Sequence, residues 1–596
     1  MALWLNYLDQ VLIYATLALS LNLLLGYAGQ VSVAHASFGA IGGYAMGYLS
    51  LTHQWNFLFG TLVGMVLAFV VGSIVALPAL KLTVEYLILL TLAVSSVILG
   101  LLIATPSMGG SYGLIGLPTA NLFGWHLREP RDWVLPSLVA MLMVYAVCHR
   151  IGESPIGRVL KGIREDPTAT QALGKNVFGY KVAVFGISSA LAAFAGSLLA
   201  AWLQLATPSV FGFSFSLTIF AIVIFGGMGN LSGSVLGAAV VVLLEPVLRR
   251  VVKIEASRAS IVQLIVYGLA LAVLMRVRPQ GALPEGFSLW RWLRGERGRR
   301  GRVEMIDGWV PTTAGVHQPA TDSANGRVSE RQAEDVRQRA WDAAPVVLET
   351  NGVGKRFGGI VAANDLHIEL RRGTITALVG PNGAGKTTVF NLLTGAIAPD
   401  AGSVKLNGEE LVGLNPAQVA RKGLVRSYQD VRLFNRLSCV QNVMMAVQHQ
   451  AGENFATLAF AHRRVVAMER DTRDKAMDWL GFVGMAEFAD VSAGALSYGQ
   501  TKLVSLARVL ATEAEVLLLD EPASGIDTRW VDTILDLIEV VREQGRTVCV
   551  VEHNLHVVGR LADHTYFMEL GEITAAGTIA ELTNTPRLAE VYFGTN

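Results

Sequence analysis

Between Gln10 and Leu80 the chain has no Asp, Glu, Lys or Arg. No soluble fold covers a stretch of that length without charge, because water-facing surface is where charged side chains sit. Cysteine is nearly absent: Cys148, Cys439 and Cys549 are the three, far apart in sequence. That spacing excludes a disulfide framework and a cysteine-based metal site. Net charge is also nearly absent, +1 over 596 residues, so the basic footprint of a nucleic-acid binder is missing. The N-terminus lacks a basic region ahead of its apolar run, so it reads as a first membrane helix rather than a cleaved leader.

What is present divides in two. The first half is rich in Leu, Ala, Val and Gly, and the second alternates charged and apolar segments. A bilayer core takes about 20 apolar residues per helix. Spans are expected at 8–25, 33–51, 57–78, 85–105, 133–149, 178–203 and 259–275. The run 215–248 breaks at GGMGNLSG (226–233) into two short helices, which gives about eight or nine crossings. Arg150, Arg158, Lys161, Arg164, Lys175 and Lys181 place the 154–181 loop on the cytoplasmic side, as do the arginines from Arg276 to Arg300 for the segment after the last span. By the same count Arg249, Arg250, Lys253 and Arg258 fall outside, against the rule.

Two segments are interrupted by glycine, 26–47 and 226–239. Broken helices point to a solute path, because freed backbone can line a cavity. Tight packing through small residues is the competing reading. Gln30, Ser32, His35 and Ser37 favour the first segment as a path. Glu245 beside Pro246 reads better as an interfacial carboxylate. In the 154–181 loop, Ala169, Ala172 and Leu173 share one side of a short helix that Gly174 ends. Such a helix suits docking. The basic, Trp-bearing stretch 291–302 suits an interfacial helix, and a polar tether follows it. The expected domains are therefore 1–285 in the membrane, 286–345 as basic segment and linker, and 346–596 as a soluble α/β domain.

In that last domain GPNGAGKTT (380–388) follows an apolar run and opens a helical pattern. Gly380, Gly385, Lys386 and Thr387 fit the spacing of a phosphate-binding loop. Glycines let backbone N–H groups wrap a phosphate, and the helix N-terminus adds positive potential. Lys386 would reach the β- and γ-phosphates and Thr387 would bind Mg²⁺. The run AEVLLLDEP (514–522) ends in Asp520, placed for Mg²⁺, and Glu521, placed to polarise the attacking water.

Around these, LSYGQ (496–500) resembles the signature motif of ABC-transporter ATPases. Gln429 in VRSYQD, His553 in VCVVEHN and SGID (524–527) resemble their Q-loop, switch histidine and D-loop, in family order across 346–596. Tyr498, the RLF after the Q-loop and the tail GTIAELTNTPRLAEVYFG resemble the larger ATPase subunit of branched-chain (hydrophobic) amino acid importers. GYAGQVSVAHASFGAIGGY, GGSYGLIGLP (109–118) and the 154–174 stretch resemble a permease subunit of the same importers. The resemblance implies an N-terminal all-α polytopic permease fused to a C-terminal α/β P-loop ATPase. It implies that Asn382, Gly383, Gly385, Lys386, Thr387 and Thr388 hold ATP and that Phe357 stacks on adenine. Glu521, His553 and Gln429 would be catalytic, and Thr387, Gln429 and Asp520 would hold Mg²⁺. Ser497, Gly499 and Gln500 would act on the nucleotide of another copy. Thr501 and Lys502, which follow the signature, are expected to lie outside the catalytic logic.

The resemblance further implies a bacterial inner-membrane location with the ATPase and linker cytoplasmic. It implies a second permease and second ATPase, or a second copy of this chain, and a periplasmic solute-binding protein. Relatives handle branched-chain amino acids, other amino acids, amides, urea or aromatic acids, so those solutes stay open. An exporter fits less well, since the common type carries six long helices with long cytoplasmic extensions.

Overall fold

The computed structural model describes residues 2–79, 84–122, 124–251, scattered positions within 262–278, then 281–286 and 337–583. The expected span at 259–275 falls largely outside these. So do the basic segment 291–302, the tether up to 336, the charges of the 249–258 loop, the side chain of Glu245 and the tail after 583. The chain divides into two units. The first is Met1–Arg164 with Val177–Gly298, and the second is Glu165–Asn176 with Arg299–Asn596.

Unit 1 is helical. Its helices are α1 (Ala2–Asn22), α2 (His35–Thr52), α3 (Phe57–Ala79), α4 (Val84–Ala104), α5 (Pro130–Gly152), α6 (Pro155–Glu165), α8 (Val177–Leu203), α9 (Phe213–Gly226) and α10 (Leu231–Val251); α7 (Pro167–Ala172) belongs to unit 2. Among the described residues five helices are long and apolar enough to cross a membrane: Leu3–Tyr27, Phe57–Pro78, Val84–Ala104, Pro130–Gly152 and Val177–Leu203. Phe213–Gly226 and Leu231–Leu244 are shorter apolar helices, so the long 215–248 run does break in two. The apolar window of α1 is 83% buried and that of α4 only 17%. The first is therefore core, and the second presents its side chains to the surroundings.

Glycine decides how α2, α3 and α8 meet. A Cβ on Gly42 would lie 2.0 Å from the Ala193 carbonyl oxygen, and one on Gly196 2.1 Å from that of Gly39. Gly64 of α3 approaches the Cα of Gly42 in the same way. For Gly39, Gly42 and Gly196, close backbone packing is therefore the role. Gly226, Gly233 and Gly237 do the same between α9 and α10. The breaks themselves lie elsewhere. After α1 the helix widens into a π-turn over Leu23–Tyr27, and residues 28–34 are non-helical before α2 begins. Between α9 and α10 the break is 227–230. The two breaks meet at Asn22, whose Nδ2 donates to the Asn230 carbonyl (3.0 Å) and Ser234 Oγ (2.8 Å). Its Oδ1 accepts from the Gly229 amide at 2.8 Å. Arg164 donates to the Gly26 carbonyl and pairs with Glu285 at 2.8 Å.

Unit 2 is α/β. Its six-stranded sheet runs Leu424–Arg426, Val516–Asp520, Thr547–Val551, Ile375–Val379, His564–Glu569, Glu572–Gly577 in spatial order. The first five strands are parallel and the last is antiparallel. Val516–Asp520, Thr547–Val551 and Ile375–Val379 are buried at every position. That explains their continuous apolar runs, since a parallel sheet is covered on both faces. A five-stranded antiparallel sheet is built around Val346–Phe357.

The segment Glu165–Asn176 is seated on this unit. Asp166 caps α7, accepting from the Ala169 amide, and pairs with Arg432 at 3.1 Å. Glu165 accepts from the Arg436 amide, and Gln448 donates to the Leu173 carbonyl. Lys175, 2% exposed, pairs with Glu453 at 2.6 Å. Ala169, Ala172 and Leu173 are buried, and Gly174 ends the helix at φ +82°. The shared side expected of them is thus a docked face.

At the other edge Trp341 stacks on His564, with ring centroids 3.9 Å apart and 11° between planes, while the Arg371 guanidinium covers it at 4.3 Å. Burial pushes the His564 imidazole from 6.5 down to about 4. The folded value lies below the unfolded one, so the unfolded chain takes the proton first as pH falls. The contribution is whole above about pH 6.5 and is lost as pH drops toward 4, at most about 3 kcal/mol. Thermal unfolding from pH 7 to 4.5 should therefore fall less steeply in His564→Phe than in the parent. Gly42→Val should abolish the folded membrane unit in a detergent gel-filtration assay, overpacking by about 3 kcal/mol or more. Gly100→Ala should be neutral, since nothing lies within 4 Å of its added carbon.

Candidate ATP-hydrolysis site

Four neighbouring parallel strands deliver the site from their C-terminal ends, where ligands collect in open α/β sheets. Ile375–Val379 feeds the glycine loop and the helix Lys386–Leu393, and Val516–Asp520 delivers Asp520 and Glu521. Thr547–Val551 is followed by His553, and Leu424–Arg426 by Gln429.

In the loop Gly380, Gly383 and Gly385 have φ of +156°, +84° and +107°. A Cβ on Gly380 would meet the Met568 carbonyl at 2.1 Å, and one on Gly385 the Ala362 carbonyl at 2.3 Å. Only glycine fits, and the chain is left free to turn its amides toward a phosphate. Lys386 folds back on its own loop, donating to the carbonyls of Gly380 (2.6 Å) and Pro381 (2.9 Å). Burial pushes its ammonium below the ordinary lysine range, and the charges of Glu521 and Asp520 oppose that shift. Asn382, Gly383 and Thr387 are exposed and Thr388 is half-buried, so these groups are open to a nucleotide.

Gln429, Glu521 and His553 converge. Gln429 Nε2 donates to Glu521 Oε2 at 2.9 Å, and His553 Nδ1 lies 3.9 Å from Glu521 Oε1. Glu521 has φ +45°, a left-handed conformation that a non-glycine residue holds only when its surroundings impose it. Its amide donates to the Val551 carbonyl at 2.9 Å. Its own carbonyl accepts from Lys502 Nζ at 3.0 Å, and the same ammonium donates to the Gln429 carbonyl at 3.2 Å. Lys502 therefore bears directly on Gln429 and Glu521, contrary to expectation. It is 7% exposed, and burial lowers its affinity for the proton while Glu552, Glu521 and nearby Asp residues raise it. Lys502 shares a stripe of the helix Tyr498–Leu510 with Leu506 and Val509, all buried. A lysine at i of an i, i+4, i+7 apolar stripe was the signal available in the sequence.

Arg426 was also missed. It pairs with Asp520 at 2.6 Å, the two side chains 5% and 2% exposed, and Asn391 accepts from its other nitrogen. Phe390 and Tyr428 flank the guanidinium. Asp520 is thus paired with a buried guanidinium. Thr387, Asp520 and the Gln429 amide offer hard oxygen donors of the kind Mg²⁺ takes alongside phosphate oxygens. Gln429 spends its nitrogen on Glu521, which leaves its Oε1 for such an ion.

Phe357 ends a strand of the antiparallel sheet, 44% exposed, with Lys355 Nζ 5.7 Å from its ring centroid. Ser497 caps the helix Tyr498–Leu510 in a reciprocal capping box with Gln500, and a Cβ on Gly499 would meet Trp530 at 3.0 Å. The capping box and the approach to Trp530 place these three against their own helix and its neighbour. The three cysteines are free and buried, and burial pushes the Cys439 and Cys549 thiols up to about 12.

The fold and this site define an ATP-binding cassette, carried on the same chain as a membrane permease. Residues 3–274 match the permease component of branched-chain amino acid transport systems, and 363–524 match the ABC transporter family. The C-terminal half is 38% identical over 249 residues to the high-affinity branched-chain amino acid transport ATP-binding protein BraF of Pseudomonas aeruginosa, covering 42% of this chain and 98% of that one. Over the same length it is 35% identical to LivG of Escherichia coli, also a high-affinity branched-chain amino acid transport ATP-binding protein, with the same coverages. A crystallised nucleotide-free ATP-binding cassette from an ABC transporter is 29% identical, covering 42% of this chain and 100% of that one at a TM-score of 0.37. The chain belongs to the branched-chain amino acid transport family of ABC transporters, with permease and ATP-binding components in one polypeptide. It binds ATP, and its hydrolysis is coupled to transport.

Lys502→Met should leave the KM for ATP unchanged and lower kcat at least about tenfold, the size expected for losing a hydrogen bond from a buried charge. Steady-state hydrolysis by the assembled transporter checks it; a parallel rise in KM would mean a general loss of fold.

Proposed function

We propose that this chain is the fused permease and ATPase of an importer that moves branched-chain amino acids across a bacterial inner membrane, with its ATPase and linker in the cytoplasm. The observation that carries the reading is the convergence of Gln429, Glu521 and His553 beside the phosphate loop of a chain whose first half matches a permease. The functional divisions are 1–285 for the path, 286–345 for the basic segment and linker, and 346–596 for the motor.

In this reading Phe357 stacks on adenine. The amides of Asn382, Gly383 and Gly385, with Lys386 and Thr388, hold the phosphates. Thr387, Asp520 and Gln429 would hold a Mg²⁺ ion, which would supply charge neutralisation to the phosphates. Glu521 polarises the attacking water, and His553 and Gln429 orient it. Lys386 stabilises charge on the transferring group.

Ser497, Gly499 and Gln500 face the nucleotide of another cassette, so one chain carries two half-sites. The assembly thus contains a second permease and a second ATPase, or a second copy of this chain, together with a separate periplasmic solute-binding protein. The short, compact 165–176 segment favours this reading over an exporter, which uses long helical extensions. Glu521→Gln should abolish uptake of radiolabelled leucine, and hydrolysis with it, while ATP stays bound. Normal uptake by that variant would defeat the mechanism.

A further inference from the structure

We propose that the break between α1 and α2 binds the head group of a zwitterionic α-amino acid. Gln30, Ser32 and His35 take its ammonium group, and the first turn of α2 takes its carboxylate. This inference rests on the reading of unit 1 as an amino-acid path.

The chemistry follows from one proton. Ser20 Oγ donates to the Leu17 carbonyl at 2.7 Å, which uses its only hydrogen. It also lies 2.7 Å from His35 Nε2, and with its hydrogen on the carbonyl it accepts there. In that arrangement His35 carries its proton on Nε2, and Nδ1 is a bare acceptor. That Nδ1 has no hydrogen-bond partner, and neither do Gln30 Oε1 and Ser32 Oγ. The three residues are 1%, 6% and 2% exposed. Buried groups without partners are costly, and here three fall within six residues. Two of them then accept only, and the hydroxyl can accept, so a ligand that satisfies them brings N–H donors.

The helix end complements it. Ala34 occupies the cap position of α2 and has no side chain to offer the first amides. The Ala36 amide finds Ser216 Oγ at 3.3 Å. Those of His35 and Ser37 receive no side-chain cap. An uncapped helix N-terminus favours a carboxylate. The surrounding hydroxyls are already committed: Ser37 to Ser95 at 2.6 Å, and Thr91 to the Val33 amide at 3.1 Å. These pairs hold residues 33–37 in place and leave the three acceptors for a ligand. Non-helical backbone among spanning helices is tolerated where it lines a path, and a π-turn commonly marks a functional position.

Binding of radiolabelled leucine to the purified full-length chain in lipid nanodiscs tests this, with ATP binding by the same sample reporting a folded chain. The wild type should bind saturably. Ser32→Ala and Gln30→Met should each weaken binding about tenfold, with ATP binding retained. Leucine methyl ester and N-acetylleucine, which lack the carboxylate and the ammonium, should compete poorly. Unchanged affinity in both variants would overturn the site while leaving the importer reading intact. Binding of a different α-amino acid with the same sensitivity to the variants would support the site and displace only the branched-chain assignment. If no α-amino acid binds, water satisfies the three acceptors and the inference falls.

Discussion

The cassette depends on holding one carboxylate in a conformation its own backbone resists. Glu521 stands at φ +45° beyond the end of a fully buried strand. The Val551 carbonyl fixes its amide and Lys502 fixes its carbonyl. Because the same ammonium also holds the Gln429 carbonyl, the strand end, the Q-loop and the helix behind the signature motif are joined at one buried charge. A low-dielectric site strengthens each of these bonds and makes the loss of any one costly.

From that point the contacts run outward through a single segment, 429–436. Arg508, on the same helix as Lys502, is driven down to about 10 by burial and donates to the Arg432 carbonyl at 2.6 Å. Arg432 pairs with Asp166, and the Arg436 amide meets Glu165. The neighbouring residue, Arg164, holds the Gly26 carbonyl and Glu285 within the helical unit. The chain thus passes from one unit to the other between two residues whose side chains are each engaged, one on the cassette and one on the broken helix that ends α1.

Much of this was legible in the sequence. The phosphate loop, Asp520 and Glu521 are readable from motif and spacing, and Gln429 and His553 from the family resemblance; the strand–loop–helix context explains why the first three lie where they do. The long 215–248 run was correctly divided at its glycines. Lys502 and Arg426 were not seen, because a buried charge is recognised by what neutralises it. The partners of Lys502 are carbonyls of residues 73 and 19 positions away, and the partner of Arg426 lies 94 positions away. The glycine-rich 26–47 stretch combined two roles in one composition. Gly39 and Gly42 allow helices to touch, while residues 28–34 form the break. No periodicity separates those roles; only the position of Ala193 against Gly42 does.

If these bonds act together, nucleotide at 380–388 is sensed as one unit by Glu521, Gln429 and the docked 165–176 segment. Hydrogen–deuterium exchange of the full-length Glu521→Gln chain in its native assembly, with and without MgATP, addresses it directly. Nucleotide should slow exchange together in 380–388, 429–436 and 165–176. Protection confined to 380–388, with the other two segments exchanging as before, would contradict it.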